Sequence, residues 1–491
     1  MLRRSVALCA VVLACGHPPL VTVDDSGTPP NADGGASDSG TADGGTLDGG
    51  TPDSGAPDAG GIDAGHADAG SSDAGSSDAG VMDGGMPQRD GGSYAFPYPI
   101  HHVIVVVKEN HTFDNYFGTF PGAEGTTTFK LSDGGTGQCP HAPNSTPRDL
   151  DHDHDPGLVD WNQGAMNGWD RVGGTSNNGD NLAYAQYLES DIPNYWQYAR
   201  TFTLGDHFFS EDIGPSFPGH LAVLAAQAGW AIGNPDTQVI KPFWGCDQAS
   251  GTQISVLQNG TCTVQQVFPC FTIPSVPDVL PPGIDWKFYG TNFYVFPEIW
   301  SMFDAVQSIR YGPGWNNIVL ATQFDSDVDN GTLPAVSWLV DQDLNDEHPQ
   351  VGGVCQGENW TVQKINKVMQ SPYWADTAII FTMDDFGGWY DHVPPPRQYG
   401  CDPQHPYGLG FRLPLIIISP YAKPGYVMKG VAHQASVPKF IEAIFGLPML
   451  ATMDSAAQDG PNTNDLTDAF DFNQAPRPPI DLQSRNCLGQ R

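Results

Sequence analysis

Basic residues are scarce in this sequence. It contains 21 Lys and Arg against 56 Asp and Glu, which gives a formal net charge of -35 and a pI of about 4.3. Proteins that bind nucleic acid use clusters of Lys and Arg to displace the counterions of the phosphate backbone. The thin supply of basic residues therefore argues against a nucleic-acid partner.

The apolar run at the N-terminus is too short to span a bilayer. Residues 6–14 follow Arg3 and Arg4, which is the pattern of a signal peptide. The run ends in a segment that resembles a bacterial lipoprotein cleavage box, with Ala14 before the scissile bond and Cys15 as the lipid-bearing residue. We expect an exported cell-envelope lipoprotein, on the outer surface or in the periplasm. Leu13 is large for such a box, so secretion after cleavage nearby stays open.

Apolar side chains are nearly missing from residues 16–93. This segment consists mainly of Asp, Gly, Ala, Ser and Thr, and it cannot bury enough surface to offset the entropy of ordering it. Its like charges extend the chain. We predict a signal peptide over residues 1–15, a disordered tether over 16–93 and one catalytic domain over 94–491. The tether's spacing lacks the ligand pattern of calcium loops, so calcium binding is not favoured.

The closely spaced cysteine pairs of a zinc site are also missing. The cysteines after Cys15 are Cys139, Cys246, Cys262, Cys270, Cys355, Cys401 and Cys487. Export makes disulfides the better interpretation, although seven thiols cannot all pair and a sequence does not assign connectivity. We guess the pairs Cys246–Cys270 and Cys355–Cys401.

Several apolar runs rich in β-branched residues end abruptly in polar segments. Such runs over 102–107, 377–382 and 413–418 predict buried parallel strands, and residues 221–228 and 437–445 predict helices. Strands that alternate with helices favour an α/β fold whose largely parallel sheet is covered on both faces. In such folds the site lies at the carboxyl ends of the strands.

The first polar segment, Glu109-Asn110, directly follows the first predicted strand. A carboxylate beside an amide oxygen is suited to a divalent cation or to orienting a phosphate. The alternative is that both residues only cap a following helix.

The second polar segment places Asp384 and Asp385 directly after another predicted strand. Adjacent carboxylates repel each other, and burying them is costly unless a cation neutralises them. The pair is therefore a candidate metal site, with an exposed acidic turn as the alternative. Asp391 and His392 follow and are expected to orient each other.

The third motif, Gly214-Pro215-Ser216-Phe217-Pro218, comes before the predicted helix at 221. Backbone N–H groups at a helix start bind phosphoryl oxygens, and a nearby metal lowers the pKa of a hydroxyl. Ser216 is thus a candidate nucleophile. Taken alone, it would more often be an ordinary turn or N-cap residue.

Together these motifs resemble the phosphoesterase superfamily of bacterial phospholipases C, plant non-specific phospholipases C and a branch of acid phosphatases. The resemblance extends through Glu347-His348-Pro349, Arg412-Leu413-Pro414 and Asp468-Ala469-Phe470-Asp471-Phe472, and so covers nearly all of the chain after the tether. It implies a three-layer α/β/α fold like that of alkaline phosphatase. It also implies a metal-dependent phosphoester hydrolase that acts through a phosphoserine on a phosphate ester or phospholipid.

The resemblance also implies roles for individual residues. One divalent metal ion, of unknown identity, is expected to be bound by Glu109, Asn110, Ser216, Asp384 and Asp385. Ser216 is the expected nucleophile. Histidines are expected to contact the substrate phosphate, namely His152 or its neighbour His154, together with His348 and His392. His348 is also the expected acid for the leaving group.

Two departures from the family pattern affect the expected chemistry. Gly219 stands where many relatives carry Asn, so a polar contact to the phosphate is expected to be missing. A serine at 216 resembles the phosphatase branch and so favours monoesters. The segment also resembles a sulfatase signature, but that signature requires Arg where His220 stands. A catalytically silent surface lipoprotein that binds phosphorylated ligands is the alternative from another functional class.

Overall fold

The structure is a computed structural model that describes residues 89–90, 93–94, 96–236, 244–258, 263–290, 301–341, 343–396 and 408–487. The predicted signal peptide and nearly all of the predicted tether lie outside the described residues. Those two predictions therefore stay predictions.

The described residues form both strands and α-helices. The strands are β1 Arg89–Asp90, β2 Ser93–Tyr94, β3 His102–Lys108, β4 Thr128–Lys130, β5 Thr136–Gln138, β6 Thr203–Gly205, β7 Phe208–Phe209, β8 Ile254–Leu257, β9 Val264–Val267, β10 Trp286–Gly290, β11 Ile318–Leu320, β12 Val336–Val340, β13 Thr377–Met383, β14 Leu415–Ile418, β15 Tyr426–Met428 and β16 Ala432–His433. The α-helices are α1 Phe113–Phe117, α2 His154–Trp161, α3 Pro193–Thr201, α4 Ser216–Ala225, α5 Val276–Val279, α6 Gln307–Arg310, α7 Gln323–Asn330, α8 Val354–Met369 and α9 Ser436–Phe445.

Within the described residues the main sheet has eight strands, in the order β11-β10-β12-β3-β13-β14-β6-β15. Neighbouring strands from β11 to β13 are parallel, and β14 is antiparallel to both of its neighbours. The prediction of a parallel strand over 413–418 was therefore wrong in direction. A strand buried on both faces has the same apolar pattern in either direction, so its sequence does not reveal which way it runs.

Both faces of this sheet are covered. Every residue of β12, β13 and β14 is buried, which requires packing against both sides. Helices α3, α7 and α8 pack together in one group, and α4, α5 and α9 pack together in another. The predicted α/β fold with a largely parallel sheet is confirmed.

Helix α4 begins earlier than its sequence suggested. The prediction placed the helix over 221–228, whereas α4 spans Ser216–Ala225 and follows Pro215 at the N-cap position. Pro218 lies in the first turn, where a missing N–H costs no intrahelical hydrogen bond. Ser216 is thus the first residue of the helix rather than part of a preceding turn.

Two disulfides join described cysteines. Cys246 pairs with Cys270, which confirms that guess. Cys355 pairs with Cys487, so the guessed Cys355–Cys401 bridge was wrong. The C-terminal segment lies along α8, where the Arg485 backbone N–H donates to Asn359 Oδ1 at 2.6 Å, and this brings Cys487 to the start of the helix. Cys262 and Cys401 lie outside the described residues, and Cys139 is a free thiol.

Candidate active site

The ends of three neighbouring strands form the floor of the site. Strand β3 lies between β12 and β13, so the segments that follow these strands meet at one edge of the sheet. Backbone hydrogen bonds hold them together: Glu109 N–H donates to Asp346 O at 3.0 Å, and Asp384 N–H donates to Lys108 O at 2.9 Å.

Asn110 links the two acidic segments. Its backbone has φ +62°, in the left-handed region that Asn tolerates better than most residues. The backbone N–H then donates to Asp384 Oδ1 at 2.8 Å, and side-chain Nδ2 donates to Asp385 Oδ1 at 3.0 Å. Thr112 caps the following helix α1 instead. The capping alternative for Glu109 and Asn110 is therefore wrong.

Ser216 contacts the same acidic pair through the other oxygen of Asp385. Its hydroxyl donates to Asp385 Oδ2 at 3.0 Å, and the side chain is buried at 1 % exposure. The N–H of the next residue, Phe217, donates to Asn234 Oδ1 at 2.9 Å. Asp384 and Asp385 are buried as well, at 0 and 1 % exposure, which excludes the exposed acidic turn.

His220 was not anticipated as a site residue. Its Nε2 lies 2.7 Å from Glu109 Oε1 and 3.7 Å from Asp384 Oδ2. Residues four apart in a helix share a face, so His220 lies on the same side of α4 as Ser216. The i, i+4 spacing of Ser216 and His220 could have indicated this shared face. It was missed because the predicted helix began only at residue 221.

Burial dominates the electrostatics of the carboxylates. Burial, followed by the charges of Asp384 and Asp346, raises the pKa of Glu109 well above its ordinary value. Burial and then Asp384 likewise raise the pKa of Asp385. Burial also acts to raise the pKa of Asp384, but His220 and several hydrogen bonds outweigh it and lower that pKa. Burial thus opposes full ionisation of the cluster, and a cation beside the carboxylates would favour their charged forms.

Three oxygen atoms of this cluster are buried without a hydrogen-bond partner. They are Glu109 Oε2, Asn110 Oδ1 and Asp384 Oδ2. Leaving such atoms unsatisfied is costly. Carboxylate and amide oxygens are ordinary ligands of divalent cations, and donor atoms of Glu109, His220 and Asp384 lie within 4.8 Å of one another. The residues present therefore fit the metal ion that the sequence implied.

A cavity of about 320 Å³ opens at Ser216. The histidines His152 and His348 line it. Its other lining residues are Leu150, Asn234, Trp244 and three acidic residues, Asp149, Asp151 and Asp153. Its size suits a small phosphorylated group beside the serine hydroxyl.

The two lining histidines are held by backbone carbonyls. Nδ1 of His152 lies 2.6 Å from Leu150 O, and Nδ1 of His348 lies 2.8 Å from Pro349 O. The two ring centroids are 6.4 Å apart. Burial acts to lower the pKa of His152, but the carboxylates of Asp385 and Asp149 outweigh it and raise that pKa to about 9.

His154 and His392 have contacts elsewhere. His154 is buried, with Nδ1 against Ile213 O, and it does not line this cavity. Nδ1 of His392 lies 2.6 Å from Asp114 Oδ2, and Arg412 Nη2 lies 3.1 Å from Asp114 Oδ1. The structure therefore brings His152 and His348 to Ser216 but does not bring His154 or His392 to the cavity.

Gly219 packs against the backbone of the acidic segment. A Cβ atom at this position would lie 1.9 Å from Asp384 O and 2.9 Å from Gln434 Nε2. The amide of Gln434 donates to that carbonyl oxygen. Position 219 thus has no room for any side chain, and the missing polar contact to the phosphate stays a prediction.

Comparison with known proteins identifies the group to which this chain belongs. The sequence model of the Phosphoesterase family matches residues 100–448. The chain is a member of the Phosphoesterase family. This confirms the resemblance seen in the sequence, and the chain is a phosphoric ester hydrolase.

The relatives of this phosphoesterase include bacterial and plant proteins. Phospholipase C A of Mycobacterium tuberculosis is 27% identical over 456 residues, covering 79% of this chain and 81% of the relative. Hemolytic phospholipase C of Pseudomonas aeruginosa is 26% identical over 77% of this chain and 56% of its own length. Non-specific phospholipase C4 of Arabidopsis thaliana is 24% identical over 76% of this chain and 75% of the relative.

The similarity to solved structures is weaker. A protein of the alkaline phosphatase superfamily from Vibrio parahaemolyticus is 13% identical, with a TM-score of 0.35 over 76% of this chain and 72% of that chain.

Proposed function

We propose that this phosphoesterase cleaves phosphate esters through a phosphoserine at Ser216 and depends on one divalent cation. The observation that carries the proposal is the contact of the Ser216 hydroxyl with Asp385 at 3.0 Å, beside a buried cluster with three unsatisfied oxygens.

The first step is attack by Ser216 Oγ on phosphorus. The oxygen–phosphorus bond forms, the ester bond to the alcohol breaks, and the hydroxyl proton passes to Asp385, the carboxylate that already accepts it. Water then attacks the phosphoserine, releases phosphate and restores the hydroxyl. Because Ser216 is the first helical residue, the positive end of the α4 dipole lies beside the attacking oxygen, where it stabilises developing negative charge.

Four side chains are proposed to bind the cation through their oxygens, with the Ser216 hydroxyl beside them. They are those of Glu109, Asn110, Asp384 and Asp385. When bound, it supplies Lewis-acid neutralisation of the phosphoryl charge and lowers the pKa of the serine hydroxyl. The unsatisfied oxygens of three of these residues support the assignment.

The two histidines of the cavity have separate roles. His152 Nε2 lies 3.9 Å from Asp385 Oδ2 and is assigned to the phosphate oxygens. His348 lines the cavity and is assigned the proton that the departing alcohol takes up. The contacts of His154 and His392 provide no support for a role at the phosphate.

Replacing the nucleophile tests the central step. Ser216→Ala should lower turnover of an aryl phosphate by about a thousandfold or more with no loss of folding, and Ser132→Ala, at an exposed serine, should leave it unchanged. Acid quenching of the wild-type protein during turnover should yield phosphate bound to the peptide that contains Ser216. A quenched protein that carries no phosphate during rapid turnover would reject the covalent step.

Four assays separate the substrate classes. Purified protein is given an aryl phosphate monoester, a phosphocholine diester, and each of these with a chelator. We expect monoester turnover that the chelator abolishes, as the serine at 216 favours. Diester turnover would instead place the protein with its phospholipase C relatives. No turnover of either would leave the silent binding lipoprotein.

A leaving-group series tests His348. His348→Ala should slow the hydrolysis of alkyl phosphates more than that of activated aryl phosphates, because the departing alkyl alcohol needs a proton. Equal losses for both would show that another group supplies the proton.

Export and lipid attachment at Cys15 are also proposed. Among the described residues no helix has the length and apolar composition needed to cross a membrane. A labelled fatty acid should be incorporated by the wild-type chain and not by Cys15→Ser. Incorporation by neither, with the protein in the medium, would indicate simple secretion.

A further inference from the structure

We infer that His220 is a nitrogen ligand of the divalent cation, which makes the site selective for a borderline ion such as Zn²⁺ or Fe²⁺ over Ca²⁺ and Mg²⁺. The inference rests on the cation of the proposed function and adds a ligand that the sequence did not indicate. The expected set contained oxygen donors only.

The position of the imidazole carries this assignment. Donor atoms about 2.0–2.2 Å from a shared ion lie about 3–3.6 Å from one another. His220 Nε2 lies 2.7 Å from Glu109 Oε1 and 3.7 Å from Asp384 Oδ2, which brackets that range. The imidazole is buried at 3 % exposure and contacts the carboxylate cluster.

The imidazole alone does not satisfy the cluster. With His220 in place, Glu109 Oε2 and Asp384 Oδ2 remain buried without a hydrogen-bond partner. A cation between the three side chains gives these oxygens a partner, which a hydrogen bond from one imidazole N–H cannot do for both carboxylates.

The helix determines the geometry. Ser216 and His220 are one turn apart at the start of α4, and they contact Asp385 and Glu109 respectively. One rigid turn therefore presents both the nucleophile and the nitrogen donor to the cluster.

The donor set determines the kind of ion. Ca²⁺ and Mg²⁺ prefer oxygen ligands throughout, whereas an imidazole combined with carboxylates suits Zn²⁺, Fe²⁺ and related ions. We expect the metal-free full-length protein to bind Zn²⁺ at least about a hundredfold more tightly than Ca²⁺ in phosphate-free buffer.

Spectroscopy of the protein loaded with Mn²⁺ alone tests the ligand directly. Electron spin echo modulation should show a ligated ¹⁴N nucleus in the wild-type protein. The signal should disappear in His220→Gln and persist in His152→Gln, which is the matched control because His152 also lies close to Asp385. His220→Gln should weaken Zn²⁺ binding about 10–100-fold and Ca²⁺ binding far less.

The outcomes distinguish this inference from the proposed function. Bound Mn²⁺ without ¹⁴N modulation, or modulation that disappears in His152→Gln, overturns the role of His220 and leaves the oxygen site intact. Failure to bind any divalent cation overturns the metal dependence itself. If His220→Gln does not fold, the wild-type and His152→Gln spectra still decide the question.

Discussion

Lys108 Nζ lies 3.3 Å from Glu347 Oε1, and both side chains are fully buried. The hydroxyls of Tyr116 and Tyr195 also donate to the Glu347 carboxylate, each at 2.5 Å. Lys108 directly precedes Glu109, and Glu347 directly precedes His348. The buried Lys108–Glu347 pair therefore joins the segment proposed to bind the cation to the segment that carries His348, the proposed proton donor.

Glu347→Gln should destabilise the fold by about 3 kcal/mol, because it leaves the ammonium of Lys108 buried without a counter-charge. Urea denaturation measures the change. The matched control is Glu189→Gln, which removes the partner of Arg200 at an exposed ion pair and should cost less than about 1 kcal/mol. Equal losses in the two variants would contradict the importance of burial.

Gly219→Ala should lower kcat strongly, by about a hundredfold. Its Cβ would lie 1.9 Å from Asp384 O, so the acidic segment has to move. Gly173→Ala is the control, since nothing lies within 4 Å of a Cβ there. Steady-state kinetics and circular dichroism on both variants separate a displaced site from a lost fold, and full activity in Gly219→Ala would show that the segment shifts harmlessly.

Removal of the two disulfides should lower the free energy of unfolding by unequal amounts. The Cys355–Cys487 bridge closes a sequence separation of 132 residues, and Cys246–Cys270 closes one of 24. Loop-closure entropy predicts that replacing the first pair with serines costs about 1.5 kcal/mol more than replacing the second. Thermal and urea unfolding of the two double variants measure this, and the reverse order would show that native contacts outweigh the entropy of the unfolded chain.

Glu442 should make stability depend on pH. Burial, and next the neighbouring Asp459, raise its pKa from 4.5 to about 10. The folded chain therefore keeps a proton that the unfolded chain releases, so this group's contribution is complete below about pH 4.5 and declines as pH rises towards 10.

Glu442→Gln carries no titrating proton and should lack this decline. From pH 6 to pH 9 the wild-type protein should lose at least about 1 kcal/mol relative to the variant. Urea midpoints at both pH values provide the comparison. Parallel behaviour of the two proteins would mean that Glu442 is ionised in the folded state.

The strand-end motifs were readable from the sequence for a physical reason. Asp384 and Asp385 directly follow a strand buried throughout, and a strand of this kind has an uninterrupted apolar sequence that ends where polar residues begin. The α/β class followed from the same runs.

Other features depended on contacts between distant residues. The role inferred for His220 required the true start of α4, and the partner of Cys355 required the path of the C-terminal segment along α8. The direction of β14 leaves no trace in a strand buried on both faces. A histidine beside an acidic residue, such as His392, looks the same in sequence whether it faces a substrate or a buried arginine.

The adjacency of β12, β3 and β13 has a consequence for how such a protein can diversify. Hydrogen-bonded strands keep a spacing of about 4.8 Å. The sheet therefore determines the distances between the reactive groups that follow these strands. Parts of the connections that lie away from Ser216 and His152 can lengthen or be exchanged over evolutionary time without moving those groups. New substrates can thus be acquired at the periphery while the bond-breaking chemistry is passed on unchanged.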